Sequence, residues 1–115
     1  MNQIGPIFSA LADPTRREVI ALLSRQPLAA TEIAARCRMS PPAMSRHLRV
    51  LRRTGIVEVI ADSPQSDARV RRYRLRSEPF FTLKEWADHM QSFWDGQLAA
   101  FKSYGEGKRA RGPRK

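Results

Sequence analysis

A mainly helical domain with one small β-hairpin is the fold that this 115-residue sequence predicts. Three observations predict it. Apolar residues recur at three- and four-residue steps in several separate segments. Two of these segments open on a short polar residue followed by proline, Asp13-Pro14 and Ser40-Pro41, as helices do. A β-branched run, residues 56–61, and an alternating run, residues 69–76, are separated by the turn-rich stretch DSPQSDA.

Ile4, Ile7, Phe8 and Leu11 fall at helical spacing, which predicts a first helix over residues 3–12. Asp13 then caps a second helix over about 14–25, with Val19, Ile20, Leu22 and Leu23 turned to a core; Gln26-Pro27 ends it. Residues 30–37 make a third, carrying Ile33, Ala34 and Cys37. After a turn at Arg38-Met39, Ser40 caps a fourth helix that runs to about Thr54. Met44, Leu48 and Leu51 share its apolar face, and Ser45, Arg46, Arg49, Arg52 and Arg53 lie on the others. Gly55 stands where a left-handed terminating residue is wanted. The two strands follow, with Tyr73 and Leu75 on one side and Arg72, Arg74 and Arg76 on the other. Glu78-Pro79 opens a long last helix to about residue 104, bearing Leu83, Trp86, Ala87, Met90, Phe93, Trp94, Leu98, Phe101 and Tyr104. A helix–turn–helix followed by a hairpin is a winged helix.

The charge is unevenly placed. The chain is formally +10, with 21 Lys+Arg against 11 Asp+Glu. Residues 1–35 are neutral, residues 36–76 carry +8 from eleven arginines and three acids, residues 77–104 carry −2, and residues 105–115 carry +4. The positive field therefore falls on the turn, the fourth helix and the hairpin, which points to a polyanionic partner. An α-helix fits the major groove of double-stranded DNA and enters it N-terminal end first. Ser45 and Arg46 come early enough in the helix to meet base edges; Arg49, Arg52 and Arg53 fall where phosphates would lie. The hairpin's Arg69, Arg71, Arg72 and Arg74 reach backbone or an adjacent minor groove. A nonspecific RNA-binding or nucleoid-packaging protein is the alternative, to be told apart by weak sequence preference. No membrane span or secretory signal is visible. The single cysteine excludes an intrachain disulfide. With no nucleophile–base pair or Gly-rich phosphate loop, no catalytic residue and no cofactor are expected. A cytoplasmic setting is the expectation.

The segments DPTRREVIALL, LAATEIAARCRMSPPAMSRHLRVLRRTGIVEV and SDARVRRYRL closely resemble the ArsR family of bacterial winged-helix repressors, over about residues 4–104. The resemblance implies a homodimeric, DNA-binding transcriptional regulator, usually a repressor. It implies DNA contacts from Ser40, Pro41, Ala43, Ser45, Arg46, His47, Arg49 and Arg52. The last helix resembles a branch of the family that lacks the sensory metal site. Where metal-sensing members carry a Cys-x-Cys pair, this chain has Glu32-Ile33-Ala34-Ala35-Arg36; its Asp88 and His89 are adjacent and do not project together. Ala68 replaces the usual wing glycine, and Pro41 the usual glutamine. No metal site is expected on this reading.

Several residues admit two roles. His47 could touch DNA or brace the helix–turn–helix. Cys37 is a small buried hydrophobe or, if Arg36 and Arg38 lower its pKa, a sensing thiol in a metal- or thiol-responsive repressor. Glu85 with His89 is a surface pair or half of an intersubunit metal site. The aromatic stripe is a ligand site or, the preferred reading, a dimer core. The expected homodimer interface comprises Ile4, Ile7, Phe8, Leu83, Trp86, Met90, Phe93, Trp94 and Phe101, because one small domain cannot bury both this stripe and the helix–turn–helix core. The chain thus divides into a DNA-binding and dimerisation domain, residues 1–104, and a basic tail, residues 105–115, expected to be a disordered electrostatic arm.

Overall fold

The computed structural model describes residues 4–60 and 71–111, with side chains through residue 105. Its elements are α1 (Ile4–Leu11), α2 (Pro14–Leu23), β1 (Leu28–Ala29), α3 (Ala30–Arg36), α4 (Pro41–Arg53), β2 (Val57–Ile60), β3 (Arg72–Leu75) and α5 (Glu78–Arg111). The chain forms two compact units, Met1–Leu83 and Lys84–Lys115.

The first unit is a winged helix–turn–helix. Its core is built from one side of each helix: Val19 and Leu23 of α2, Ile33 of α3, and Met44, Leu48 and Leu51 of α4 are all buried, with Ile56 and Val57 closing the base of the wing. Tyr73, Leu75, Phe80 and Leu83 pack against its edge. Among the described residues no polar or charged residue is buried, so the core is held by apolar burial and dispersion alone.

The wing has three strands, not the two that the hairpin pattern predicts. Leu28 and Ala29 add an antiparallel edge strand, giving the order β1-β3-β2. Leu28 pairs with Tyr73, and on the other side of β3 Glu58 pairs with Arg74. Two residues are too short to show a period, which hides β1 in the sequence. The turn over residues 61–70 lies outside the described residues.

Helix ends follow the local chemistry. Asp13 Oδ1 accepts from the backbone N–H of Thr15 at 2.7 Å and of Arg16 at 3.1 Å, capping α2. The two arginines that follow serve the helix before them. Arg16 donates to the carbonyls of Ala10 (2.7 Å) and Ser9 (3.2 Å), and Arg17 to those of Leu11 (2.8 Å) and Ala12 (3.1 Å). The carbonyls of Ser9, Ala10 and Leu11 belong to the last turn of α1, where a helix end leaves carbonyls without intrahelical donors, and Ala12 follows directly. The run Asp13-Pro14-Thr15-Arg16-Arg17 therefore satisfies α2's start and α1's end together.

Both helices of the helix–turn–helix end alike. Arg38 and Gly55 each take a left-handed backbone, with φ 55 and 80. After α3, Met39 N–H donates to Ala34 O (2.9 Å) and Arg38 N–H to Ala35 O (3.1 Å); after α4, Ile56 N–H donates to Leu51 O (2.9 Å) and Gly55 N–H to Arg52 O (3.0 Å). This is the paired bonding of a Schellman motif. A Cβ on Gly55 would also come within 3.2 Å of Arg76 Nη1.

Two expectations are corrected. Ile7, placed by its spacing in a dimer interface, is only 3% exposed and belongs to the protomer's own core. A short helix can offer apolar side chains to two surfaces, and periodicity does not say which one each side chain meets. The last helix does not stop at residue 104 but continues to Arg111; the remaining tail residues, 112–115, lie outside the described residues.

In the second unit, α5 carries Trp86, Phe93, Trp94, Leu98, Phe101 and Tyr104, all exposed, from 44% at Trp86 to 76% at Phe101. At 100° per residue they fall on one face of the helix. Met90 is half-buried within the same stripe.

Candidate nucleic-acid interface

The helix α4 presents the predicted contact residues outward because Met44, Leu48 and Leu51 anchor its opposite face in the core. Ser45, Arg46, Arg49 and Arg52 are exposed. Ser45, Arg49 and Arg52 stand at i, i+4 and i+7 and form one stripe. Together with Leu48 and Tyr73 they line a cleft of about 170 Å³ between α4 and β3. Arg46 and Arg53 lie beside that stripe. The helix thus offers an arginine-lined cleft toward the wing and further arginines next to it. Strand alternation sets Tyr73 on the same side as Leu75, and only the fold places it in this cleft.

Two of the predicted residues, Ser40 and His47, use their side chains to hold the structure. Ser40 Oγ accepts from Ala43 N–H at 3.3 Å and so caps α4, with Pro41 and Pro42 in the first turn. Ala43 is half-buried. His47 is half-buried too: its Nδ1 lies 3.4 Å from Arg16 Nη1 and 4.0 Å from Asp13 Oδ1. Of its two readings, bracing the helix–turn–helix is the one that this geometry matches.

On the wing, Arg71, Arg72 and Arg74 are exposed, and Arg69 lies outside the described residues. The strand pattern did not reveal that Arg74 has a partner. Its Nε is 2.7 Å from Glu58 Oε2 on the neighbouring strand. The other oxygen of Glu58 lies 3.6 Å from Arg76 Nε. Arg76 also meets Glu78 at 3.5 Å and donates to Gly55 O at 3.4 Å. Arg76 is therefore tied between the wing, the end of α4 and the first turn of α5. The signal was present in the sequence as a lone acid in a basic strand pair, but the register is needed to read it.

Cys37 follows the last residue of α3 and is half-buried. Burial first, and then the charge of Glu18, push its thiol up. The neighbouring arginines do not produce the lowered value that a sensing thiolate needs. Among the described residues no three His, Cys, Asp or Glu side chains gather as a metal site, and Glu85 and His89 are exposed. No helix among them is long and apolar enough to cross a membrane.

A helix anchored by its apolar face, an arginine-rich outer face and an adjacent wing define a winged-helix protein of the nucleic-acid-binding class. The helix-turn-helix domain family matches residues 11–60. A transcriptional repressor SmtB homologue of Synechocystis sp. is 37% identical over 94 residues, covering 78% of this chain and 65% of that protein. The HTH-type transcriptional regulator Rv2034 of Mycobacterium tuberculosis is 35% identical, covering 82% of this chain and 80% of that one. Among solved structures, an ArsR family transcriptional regulator, RHA00566, superposes with a TM-score of 0.71 at 34% identity, covering 81% of this chain and 91% of that one. An ArsR-like transcriptional regulator of Rhodococcus sp. RHA1 gives 0.77 at 28% identity, covering 91% and 92%. The chain belongs to the ArsR family of winged helix–turn–helix transcriptional regulators.

Proposed function

We propose that the chain is a homodimeric repressor that binds a pseudo-palindromic operator in double-stranded DNA, its own promoter being the first place to look. The observation that carries this reading is the outward stripe of Ser45, Arg49 and Arg52, with Arg46 beside it, on a helix fixed to a wing. Ser45 and Arg46 read base edges, Arg49 and Arg52 hold phosphates, and Arg69, Arg71, Arg72 and Arg74 of the wing add backbone contacts. The names of the relatives, repressors and regulators, support the direction of control. The exposed aromatic face of α5, with Phe8 at 40% exposure on α1, supports a second copy as the partner. A two-fold axis sets two recognition helices about one DNA turn, ~34 Å, apart. The working compartment is the cytoplasm. The basic residues beyond 105 act as a nonspecific electrostatic arm.

Footprinting of the purified protein on the promoter region, with a salt titration against a scrambled duplex, tests the reading. A discrete protected palindrome that survives salt better than the scrambled duplex is the expected result. Equal affinity for both duplexes at every salt concentration would establish a nonspecific nucleic-acid binder instead.

A further inference from the structure

Glu58 is the one acid within the described strands of the wing, and it stands directly opposite Arg74 in the β2–β3 register. One carboxylate oxygen is 2.7 Å from Arg74 Nε, and the other 3.6 Å from Arg76 Nε. A single acid thus engages two of the arginines on the outer side of the strand pair. We propose that Glu58 is an electrostatic brake on DNA binding, a residue that lowers the affinity of the wing for phosphate by competing for Arg74. The inference rests on the DNA-binding reading above.

Arg74 and Glu58 are both solvent-accessible, at 54% and 38% of their side chains. An ion pair at such exposure is weak, so Arg74 can exchange it for another anion. A phosphodiester can therefore take Arg74, but Glu58 is then left without that partner beside a polyanion. The repulsion is independent of sequence, because phosphate contacts carry no base information. Affinity for every duplex falls alike, and the base-edge contacts of α4 supply a larger share of what remains. Arg76 stays held meanwhile by Glu78 and the Gly55 carbonyl.

The test is fluorescence anisotropy of the full chain on a random-sequence duplex, titrated from about 50 to 200 mM salt, the range over which counterion release dominates affinity. Glu58→Gln keeps the shape of the side chain and removes its charge. It is expected to bind several-fold tighter, with a log–log salt slope steeper by up to about 0.9, the contribution of the one arginine, Arg74, that Glu58 no longer withholds from phosphate. Glu58→Thr, a good strand former, is expected to show the same gain, so the result does not depend on one variant folding. Adding Arg74→Ala to Glu58→Gln is expected to abolish the gain. Affinity and slope at or below wild type in both Glu58 variants would overturn the brake while leaving wild-type DNA binding intact. A wild-type chain that binds no duplex would overturn the underlying reading, and the brake with it.

Discussion

The Nδ1 of His47 lies 3.4 Å from Nη1 of Arg16, joining α4 to the α1–α2 corner. Arginine can only donate, so this contact is a hydrogen bond when the imidazole nitrogen carries no proton. Arg16 is itself fixed on the carbonyls of Ser9 and Ala10. Helix α4 is thereby braced against a corner that is already satisfied. His47→Ala is expected to lower stability by about 1 kcal/mol, the usual net worth of such a hydrogen bond. Urea unfolding checks this. Unchanged stability with an altered sequence preference would mean that His47 is a base contact.

Arg46→Ala is expected to weaken operator binding by ~1–3 kcal/mol and to relax preference at one base pair. Arg49→Ala and Arg52→Ala are expected to weaken all duplexes alike and to flatten the salt slope. Comparing operator and scrambled DNA for the three variants separates the roles. Equal losses on both duplexes for Arg46→Ala would make it a phosphate contact.

The matched turns after α3 and α4 predict opposite responses. Gly55→Ala puts a Cβ on a left-handed residue, at a cost of roughly 1–2 kcal/mol, and crowds Arg76. Arg38→Gly relieves the same kind of strain, offset by the entropy that glycine adds to the unfolded chain. It should melt at or above the wild-type temperature. A clear fall in melting temperature for Arg38→Gly would show that its side chain holds the turn.

Asp13 predicts a pH dependence. Hydrogen bonds from the backbone N–H of Arg16 first, and of Thr15, hold its carboxyl below the ordinary value of 3.8, with His47 and Arg16 adding charge. A depressed folded pKa means that this stabilisation is present above the unfolded value. It is lost as pH falls through the lower, folded one. Between about pH 5 and 3, where unfolded-state carboxylates titrate, Asp13→Ala should therefore lose less stability than wild type. Parallel melting curves over that range would contradict the capping role.

If α5 buries its aromatic face against a second copy, Trp94→Glu gives a monomer with poor DNA affinity. The wild-type melting temperature then rises with protein concentration. Sedimentation of Trp94→Glu as a dimer would remove the face from the interface.

The elements governed by local chemistry were legible in the sequence. Asp13, Ser40 and Gly55 announce helix boundaries because caps and left-handed ends act on adjacent backbone groups. The core face of α4 was legible from periodicity. The rest depends on distance along the chain. Glu58 and Arg74 are partners only once a register exists, and Arg16 and Arg17 serve carbonyls of the preceding helix. Ile7 shows the limit of spacing, since it fits an interface and a core equally well. For the candidate site, charge placement identified which helix is basic, while the cleft shared by Arg49, Arg52 and Tyr73 required the fold.

The double proline at the start of α4 has a consequence for how anions are held. Helix N-termini commonly grip phosphate with free backbone amides, aided by the positive end of the macrodipole. Pro41 and Pro42 have no amide hydrogen to give. The amide of Ala43 is taken by Ser40 Oγ, and that of Met44 by the Ser40 carbonyl at 2.9 Å. The leading turn of this helix is therefore closed to a backbone grip. A phosphate drawn to that turn can be held only by side chains, so a lost arginine there has no main-chain substitute.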